Sequence, residues 1–191
     1  QATAISEFLV IHDIPFLSSE SLNLTHSKEV QFLIGLLRLA LDEKNLEHRL
    51  TVLEFLRTDY GGGETYHDFI STHYRKPIQT TLNGFDIGFN FLNFKAMPLY
   101  EAVEAAFYAF ELSSSIDAHL QTFLDHVFDF SQQKHNDILS FIMHWELQGD
   151  SLYVATPKGV NAIQVLTIHK AKGLEFPVVI LPFLDDPIQG N

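Results

Sequence analysis

The feature that most constrains this fold is a segment of alternating apolar and polar runs, residues 163–182. An apolar run at 163–168 leads through a short Lys-Ala-Lys-Gly connection to a second apolar run at 178–181. Runs rich in β-branched residues predict two buried strands joined by a short charged element. Because they lack polar alternation, they are typical of a parallel sheet covered on both faces. In such sheets ligands bind beyond the carboxyl ends of the strands, where Thr167 and His169 fall.

The first third of the sequence has the pattern of a wound α/β unit. Apolar periodicity predicts a helix over 3–11, a short strand over 14–17, and a long helix beginning near Lys28 with Thr25 or Ser27 as its cap. A helix, a strand and a helix in this order form half of a wound α/β unit.

The middle of the sequence has helical periodicity instead. It predicts helices over 46–56, 98–112, 116–130 and 136–147, with short helices and loops packed by phenylalanines over 58–97. We therefore predict an α/β fold in which residues 1–44 and 151–191 form one discontinuous domain. A mainly α-helical domain, residues 45–150, is inserted into it.

Net charge limits the binding functions of the chain as a whole. The sequence carries −12 at pH 7, with nine Lys/Arg against twenty-one Asp/Glu in residues 1–150 and three of each in 151–191. Such acidity argues against a general nucleic-acid-binding surface, because neutralising phosphates requires Lys and Arg. The segment 163–182 is the exception, since it contains Lys170 and Lys172.

Several other classes of site and location receive no support. No apolar stretch is long enough for a membrane span, and the absence of cysteine agrees with a reducing compartment, so a cytoplasmic location is expected. The ten histidines lack metal-ligand spacing, and the pair His119 and His126 is predicted on the surface of one helix, so no metal site is expected. Gly61-Gly-Gly-Glu is predicted to be a turn, because no Gly-Lys-Ser/Thr follows it.

The ten residues Thr167-Ile-His-Lys-Ala-Lys-Gly-Leu-Glu-Phe resemble motif V of the UvrD/Rep-type superfamily 1 DNA helicases. The following Pro-Val-Val-Ile-Leu-Pro-Phe is most similar to the RecB/AddA-like branch. The resemblance implies a partial RecA-like parallel sheet, belonging to the second P-loop NTPase-like motor domain, interrupted by a helical accessory insertion. It also implies an ATP-dependent 3′-5′ DNA helicase acting in DNA repair and recombination.

The resemblance also implies roles for individual residues. Thr167, His169 and Lys170 would contact single-stranded DNA, and Lys172, Gly173 and Glu175 would contact the nucleotide. Alternative interpretations are that Thr167 caps the following turn, that His169 packs locally, and that Glu175 forms a surface ion pair with Lys172.

The sequence lacks the P-loop, the acidic magnesium-binding motif and any arginine-bearing finger motif. ATP and Mg²⁺ are therefore expected to act in the full-length protein, with the Mg²⁺ ligands outside this sequence, and this fragment alone is expected to be inactive. Expected partners are single-stranded or duplex DNA and a partner nuclease-helicase subunit, with no membrane. The alternatives are a non-enzymatic acidic helical interaction module and a DNA translocase that does not unwind.

Overall fold

The computed structural model describes residues 2–18, 22–112, 118–133, 136–154 and 162–182, and most of these residues are helical. The elements, in chain order, are α1 (Ala2–Ile11), β1 (Phe16–Ser18), α2 (Lys28–Leu41), α3 (Leu46–Tyr60), α4 (Tyr66–His73), α5 (Ile78–Gly84), α6 (Phe91–Ala96), α7 (Leu99–Ala109), α8 (Ala118–Ser131), α9 (Ile138–Gln148), β2 (Ile163–Val165) and α10 (Ile168–Ala171). Two 3-10 helices, Leu24–His26 and Gly149–Ser151, complete the set. In this part of the chain, no helix is both long and apolar enough to span a membrane.

The chain divides into two compact units, each described separately below. The helical unit is Asn23–Ala155, and the sheet unit combines Gln1–Leu22 with Thr156–Asn191. The sequence predicted the corresponding divisions at 44/45 and 150/151. The main difference concerns α2, which was predicted in the α/β piece and instead belongs to the helical unit.

Helix α2 is the centre of the helical unit, because it carries buried apolar residues on nearly every side. It packs against α3, α6, α7, α8 and α9. A helix with apolar residues on all sides is stable only when it is buried on all sides, whereas a helix that packs on a sheet needs only one apolar face. Its start is as predicted: Ser27 Oγ accepts a hydrogen bond from the Val30 amide at 3.4 Å. The buried side chains of α2 include Val30, Phe32, Leu33, Ile34, Leu36, Leu37 and Leu39.

Aromatic side chains fill the rest of this core, as their helical spacing predicted. Phe32 stacks on Phe55 with 4.0 Å between ring centroids. Phe123 meets the indole of Trp145 edge-on at 5.5 Å and thereby joins α8 to α9. Edge-to-face and stacked pairs of this kind add to the free energy of burial. The phenylalanines of the helical unit therefore serve mainly as core.

A buried arginine ties α3 to the connection between α4 and α5. Arg49 donates hydrogen bonds to the carbonyl oxygens of Glu43 at 2.9 Å and of Tyr74 and Lys76. Carbonyls after a helix end lack intrahelical partners, so this guanidinium satisfies groups that burial would otherwise leave unbonded. Arg49 thus has a structural role.

The two ends of the helical unit are held together. Asn23 and Tyr153 form an isolated antiparallel bridge, the Leu24 amide donates to the Leu152 carbonyl at 3.0 Å, and Asn23 Nδ2 donates to the Asp150 carbonyl at 2.8 Å. A domain whose ends are adjacent can be inserted into another domain without disrupting it. The helical unit has this property.

The sheet unit contains a parallel pair of strands, β1 and β2, with Phe16 opposite Ile163 and Ser18 opposite Val165. A parallel sheet was predicted, and this pair is parallel. The predicted burial on both faces is wrong, since Ile163 is 43% exposed. The second predicted strand, over 178–181, is also wrong. These four residues form no strand and are 56–78% exposed. An apolar run becomes a buried strand only beside a partner strand, and the described residues provide none there.

Candidate functional site

The predicted site residues begin directly after β2. This strand ends at Val165, and Thr167 follows it with an exposed side chain. The Thr167 carbonyl accepts a hydrogen bond from the Ala171 amide at 2.9 Å, so Thr167 also marks the start of the single turn α10. The chain therefore changes from strand to helical turn at the carboxyl end of a parallel strand, the position at which ligands bind in open α/β sheets.

His169 and Lys170 lie in α10, one and two residues after Ile168. Their side chains lie outside the described part of the chain, so only the backbone positions are described. Both residues belong to the same helical turn, which directly follows Thr167. The three residues predicted to contact DNA, Thr167, His169 and Lys170, thus lie within four positions of the chain where β2 leads into α10.

The three residues predicted to contact nucleotide follow α10 in a tight turn. Gly173 has φ +87°, a conformation that L side chains rarely adopt, and the Leu174 amide donates to the Ala171 carbonyl at 3.0 Å. A Cβ at Gly173 would meet no atom within 4 Å. The requirement for glycine here is therefore conformational, and the space beside its backbone is open.

Lys172 and Glu175 flank this turn, and both are exposed. The alternative interpretation paired them with each other, but the described residues contain no ion pair between Lys172 and Glu175. The described ion pairs of the chain all belong to the helical unit. The Glu175 residue is exposed, and its carboxylate is a hydrogen-bond acceptor.

The local charge differs from that of the rest of the chain. Residues 162–182 contain two lysines and one glutamate, whereas the helical unit contains nine Lys/Arg and eighteen Asp/Glu. A phosphate approaching the turn after β2 meets a weakly positive segment. One approaching the helical unit meets an excess of carboxylates, which repel it.

The helical unit has its own open cleft, of about 330 Å³. An ion pair between Arg38 and Glu146 lies at this cleft, so the one arginine lining it already has a carboxylate partner. Sequence reasoning did not find this cleft, because its lining comes from separate segments that no local pattern connects. Its polar lining residues are Thr25, Gln31, Arg38, Thr51, Glu146 and Asp150.

A pair of half-buried histidines was also missed. The ring of His126 on α8 stacks on that of His144 on α9, with 5.2 Å between centroids, and His126 Nε2 is buried without a hydrogen-bond partner. Burial, with a smaller contribution from the nearby His144, lowers the pKa of His126. The prediction that His126 lies on a helix surface with His119 is therefore wrong, because the packing of α9 covers it. No group of three or more His, Asp or Glu side chains in the described ranges is arranged to hold a metal ion.

Comparison with known protein families supports the resemblance seen in the motif. Residues 109–189 match the model of the UvrD-like helicase C-terminal domain, a span that includes α8, α9, β2 and the whole turn after β2. No curated protein matches the chain. The match supports the resemblance to UvrD/Rep-type superfamily 1 helicases across the C-terminal part of the chain.

Proposed function

We propose that this chain forms part of an ATP-dependent 3′-5′ DNA helicase and that its residues 167–175 contact both DNA and nucleotide. The observation that carries the proposal is the combination of the UvrD-like match over 109–189 with the position of these residues. They form the turn that follows the carboxyl end of β2.

On the DNA side, the proposal assigns Thr167, His169 and Lys170 to the phosphate backbone. The exposed Thr167 hydroxyl can donate a hydrogen bond to a phosphate oxygen, and hydroxyl groups commonly make such contacts. An imidazole and an ammonium group from the next turn add donors and positive charge. Contacts of this kind hold a DNA strand in register without reading its sequence, as translocation requires.

On the nucleotide side, the proposal assigns Lys172, Gly173 and Glu175 to ATP. The open space beside Gly173 permits close approach of a ligand to the backbone. The exposed Glu175 carboxylate can accept hydrogen bonds from ribose hydroxyls, and Lys172 adds positive charge near the phosphates. ATP supplies the free energy for movement, and its Mg²⁺ ion is assigned no ligand among these residues.

The proposed setting is a motor domain of RecB/AddA-like type, acting in the cytoplasm in DNA repair and recombination. The parallel pairing of β1 with β2 supports a RecA-like sheet. The helical unit would then be the accessory insertion. Its net acidity favours a partner protein subunit over DNA as the molecule that it contacts.

Two other functions remain as alternatives. The acidic helical unit, with eighteen Asp/Glu against nine Lys/Arg, favours a non-enzymatic interaction module in which the sheet unit is only a scaffold. The second alternative is a DNA translocase that hydrolyses ATP without separating strands.

The test is DNA-stimulated ATPase activity of the full-length protein carrying Glu175→Ala or the pair Thr167→Ala/His169→Ala. We expect the first variant to raise the KM for ATP and the second to weaken the stimulation by DNA. Thr58→Ala and Glu54→Ala on α3 are matched controls, because they remove an exposed hydroxyl and an exposed carboxylate from the helical unit. Site variants that behave like these controls would contradict the residue assignments, and a wild type without DNA-dependent ATPase would favour the interaction module.

A further inference from the structure

The outer surface of α7 and α8 exposes aromatic rings. Tyr100 on α7 meets Phe128 on α8 edge-on, with 5.5 Å between ring centroids. Phe128 is 47% exposed, and Tyr108, two turns after Tyr100 on α7, is 66% exposed. Exposed aromatic clusters are uncommon on isolated surfaces and are enriched in protein interfaces.

Carboxylate residues lie one turn from these rings along the same two helices. Glu104 lies one turn after Tyr100 on the same side of α7, and Asp125 lies one turn before Phe128 on α8. Residues 96–133 contain six Asp/Glu and no Lys or Arg, so no cation of this segment offsets them. We call this surface the aromatic–acidic face, and its residues are Tyr100, Glu101, Glu104, Tyr108, Asp125 and Phe128.

We propose that the aromatic–acidic face docks a basic amphipathic helix of a partner protein. Tyr100 and Tyr108 lie eight residues apart along α7, a rise of about 12 Å, and so offer two apolar anchors to a helix lying alongside. Lysine or arginine side chains of the partner would face Glu104 and Asp125, and cations can also stack on the tyrosine rings. The inference deepens the accessory role proposed for the helical unit and takes its biological setting from that role.

Charge decides between this occupant and two others. Nucleic acid would bring phosphates against the carboxylates, and a second copy would bring the same carboxylates face to face, so both approaches are repelled. A basic helix is the occupant for which the aromatic and the acidic residues both contribute attraction.

A second exposed apolar surface lies on α9, but no charged residue described beside it favours one kind of partner over another. Leu139, Met143 and Leu147 form a stripe and are 54%, 62% and 86% exposed. The nearby Glu146 is already paired with Arg38, so its charge does not select a partner. The stripe therefore carries no proposal, and its Met143 is used below as one of two control positions.

The test uses a synthetic amphipathic helix of leucine and lysine, labelled with a fluorophore, and a twin peptide with glutamate in place of lysine. Binding of each peptide to the full-length protein is measured by fluorescence anisotropy at physiological salt. We expect the lysine peptide to bind and the glutamate peptide not to bind. The pair Glu104→Gln/Asp125→Asn should weaken binding severalfold, whereas Glu54→Gln/Glu64→Gln, which changes the net charge equally, should leave it unchanged.

The aromatic contribution is tested in the same way. The pair Tyr108→Ala/Phe128→Ala should weaken binding about tenfold or more, as expected for aromatic residues central to an interface. Leu92→Ala/Met143→Ala removes two apolar side chains that are 76% and 62% exposed elsewhere in the helical unit, and it should have little effect. Circular dichroism of every variant verifies that the helices remain folded.

Three outcomes would overturn the inference. Equal weakening by both charge pairs would show non-specific attraction. Self-association lost in Tyr108→Ala/Phe128→Ala would identify a second copy as the occupant, and single-stranded DNA binding lost in the same variant would identify nucleic acid. Failure here is distinguishable from failure of the proposed function. The face variants should retain DNA-stimulated ATPase, and Thr167→Ala/His169→Ala should retain peptide binding.

Discussion

Replacing Asn23 by alanine should destabilise the helical unit far more than the loss of an ordinary helix cap. The Asn23 side chain is nearly buried, at 8% exposure, and makes three hydrogen bonds. Its Oδ1 accepts from the amide and the hydroxyl of Thr25 at 2.8 and 2.7 Å, and its Nδ2 donates to the Asp150 carbonyl at 2.8 Å. The last bond joins the two ends of the unit across 127 residues of sequence.

The expected magnitude follows from these bonds. At about 1 kcal/mol each, their loss should lower the free energy of unfolding by about 3 kcal/mol. With a urea m-value of about 2 kcal/mol/M, the midpoint of unfolding should fall by about 1.5 M. Asn45→Ala is the matched control, since Asn45 accepts from the Glu47 and His48 amides only as the cap of α3. Its replacement should cost about 1 kcal/mol.

Fluorescence of Trp145 is the assay. It is the only tryptophan of the sequence and lies 94% buried in α9, inside the helical unit, so its emission reports the unfolding of that unit. Equal midpoints for Asn23→Ala and Asn45→Ala would refute the reasoning, because the bond between the two ends would then contribute nothing beyond a local cap.

Two further predictions concern stability. Burial lowers the pKa of His126, so between this lowered pKa and the ordinary histidine pKa the unfolded chain binds more protons than the folded chain. The free energy of unfolding should therefore be highest above the ordinary histidine pKa and fall as pH decreases through it, with a slope of at most about 1.4 kcal/mol per pH unit for one histidine. Urea midpoints of wild type, His126→Phe and the exposed control His67→Gln, measured across this pH range, test the prediction. Equal slopes for all three proteins would contradict it. Gly149→Ala should cost about 1–3 kcal/mol, because its Cβ would lie 2.9 Å from Cε2 of the buried Trp145 ring. Gly88→Ala, whose Cβ meets no atom within 4 Å, should leave the urea midpoint nearly unchanged, and a similar result for both glycines would show that the ring moves aside.

The helices were predictable because each has its own local signals. Helix α2 begins where the Ser27 cap and the apolar periodicity indicated, and α9 (Ile138–Gln148) lies within two residues of the range 136–147 predicted for it. That α2 belongs to the helical unit and not to the sheet unit was not predictable in the same way. Periodicity identifies a buried face, but it does not say which other elements cover that face, and α2 packs with the helices that follow it.

The parts that failed depend on contacts between distant residues. The run 178–181 has the composition of a buried strand, but a strand also requires a partner that composition does not specify. The stacking of His126 on His144 depends on the rotation of α9 about its axis, which the spacing of histidines on α8 does not reveal. By contrast, the position of Thr167 after a parallel strand was predictable, because the end of an apolar run marks the end of a strand.

The central claim, that this chain belongs to a DNA helicase, is tested most directly by strand separation. The full-length protein, ATP and Mg²⁺ are incubated with a labelled duplex that carries either a 3′ or a 5′ single-stranded tail, and the released strand is measured over time. We predict release from the 3′-tailed duplex and little release from the 5′-tailed one. In Glu175→Ala, release from the 3′-tailed duplex should be lost at ATP concentrations that saturate only the wild type. ATP hydrolysis without strand release would indicate a translocase, and the absence of both activities with either tail would contradict the account.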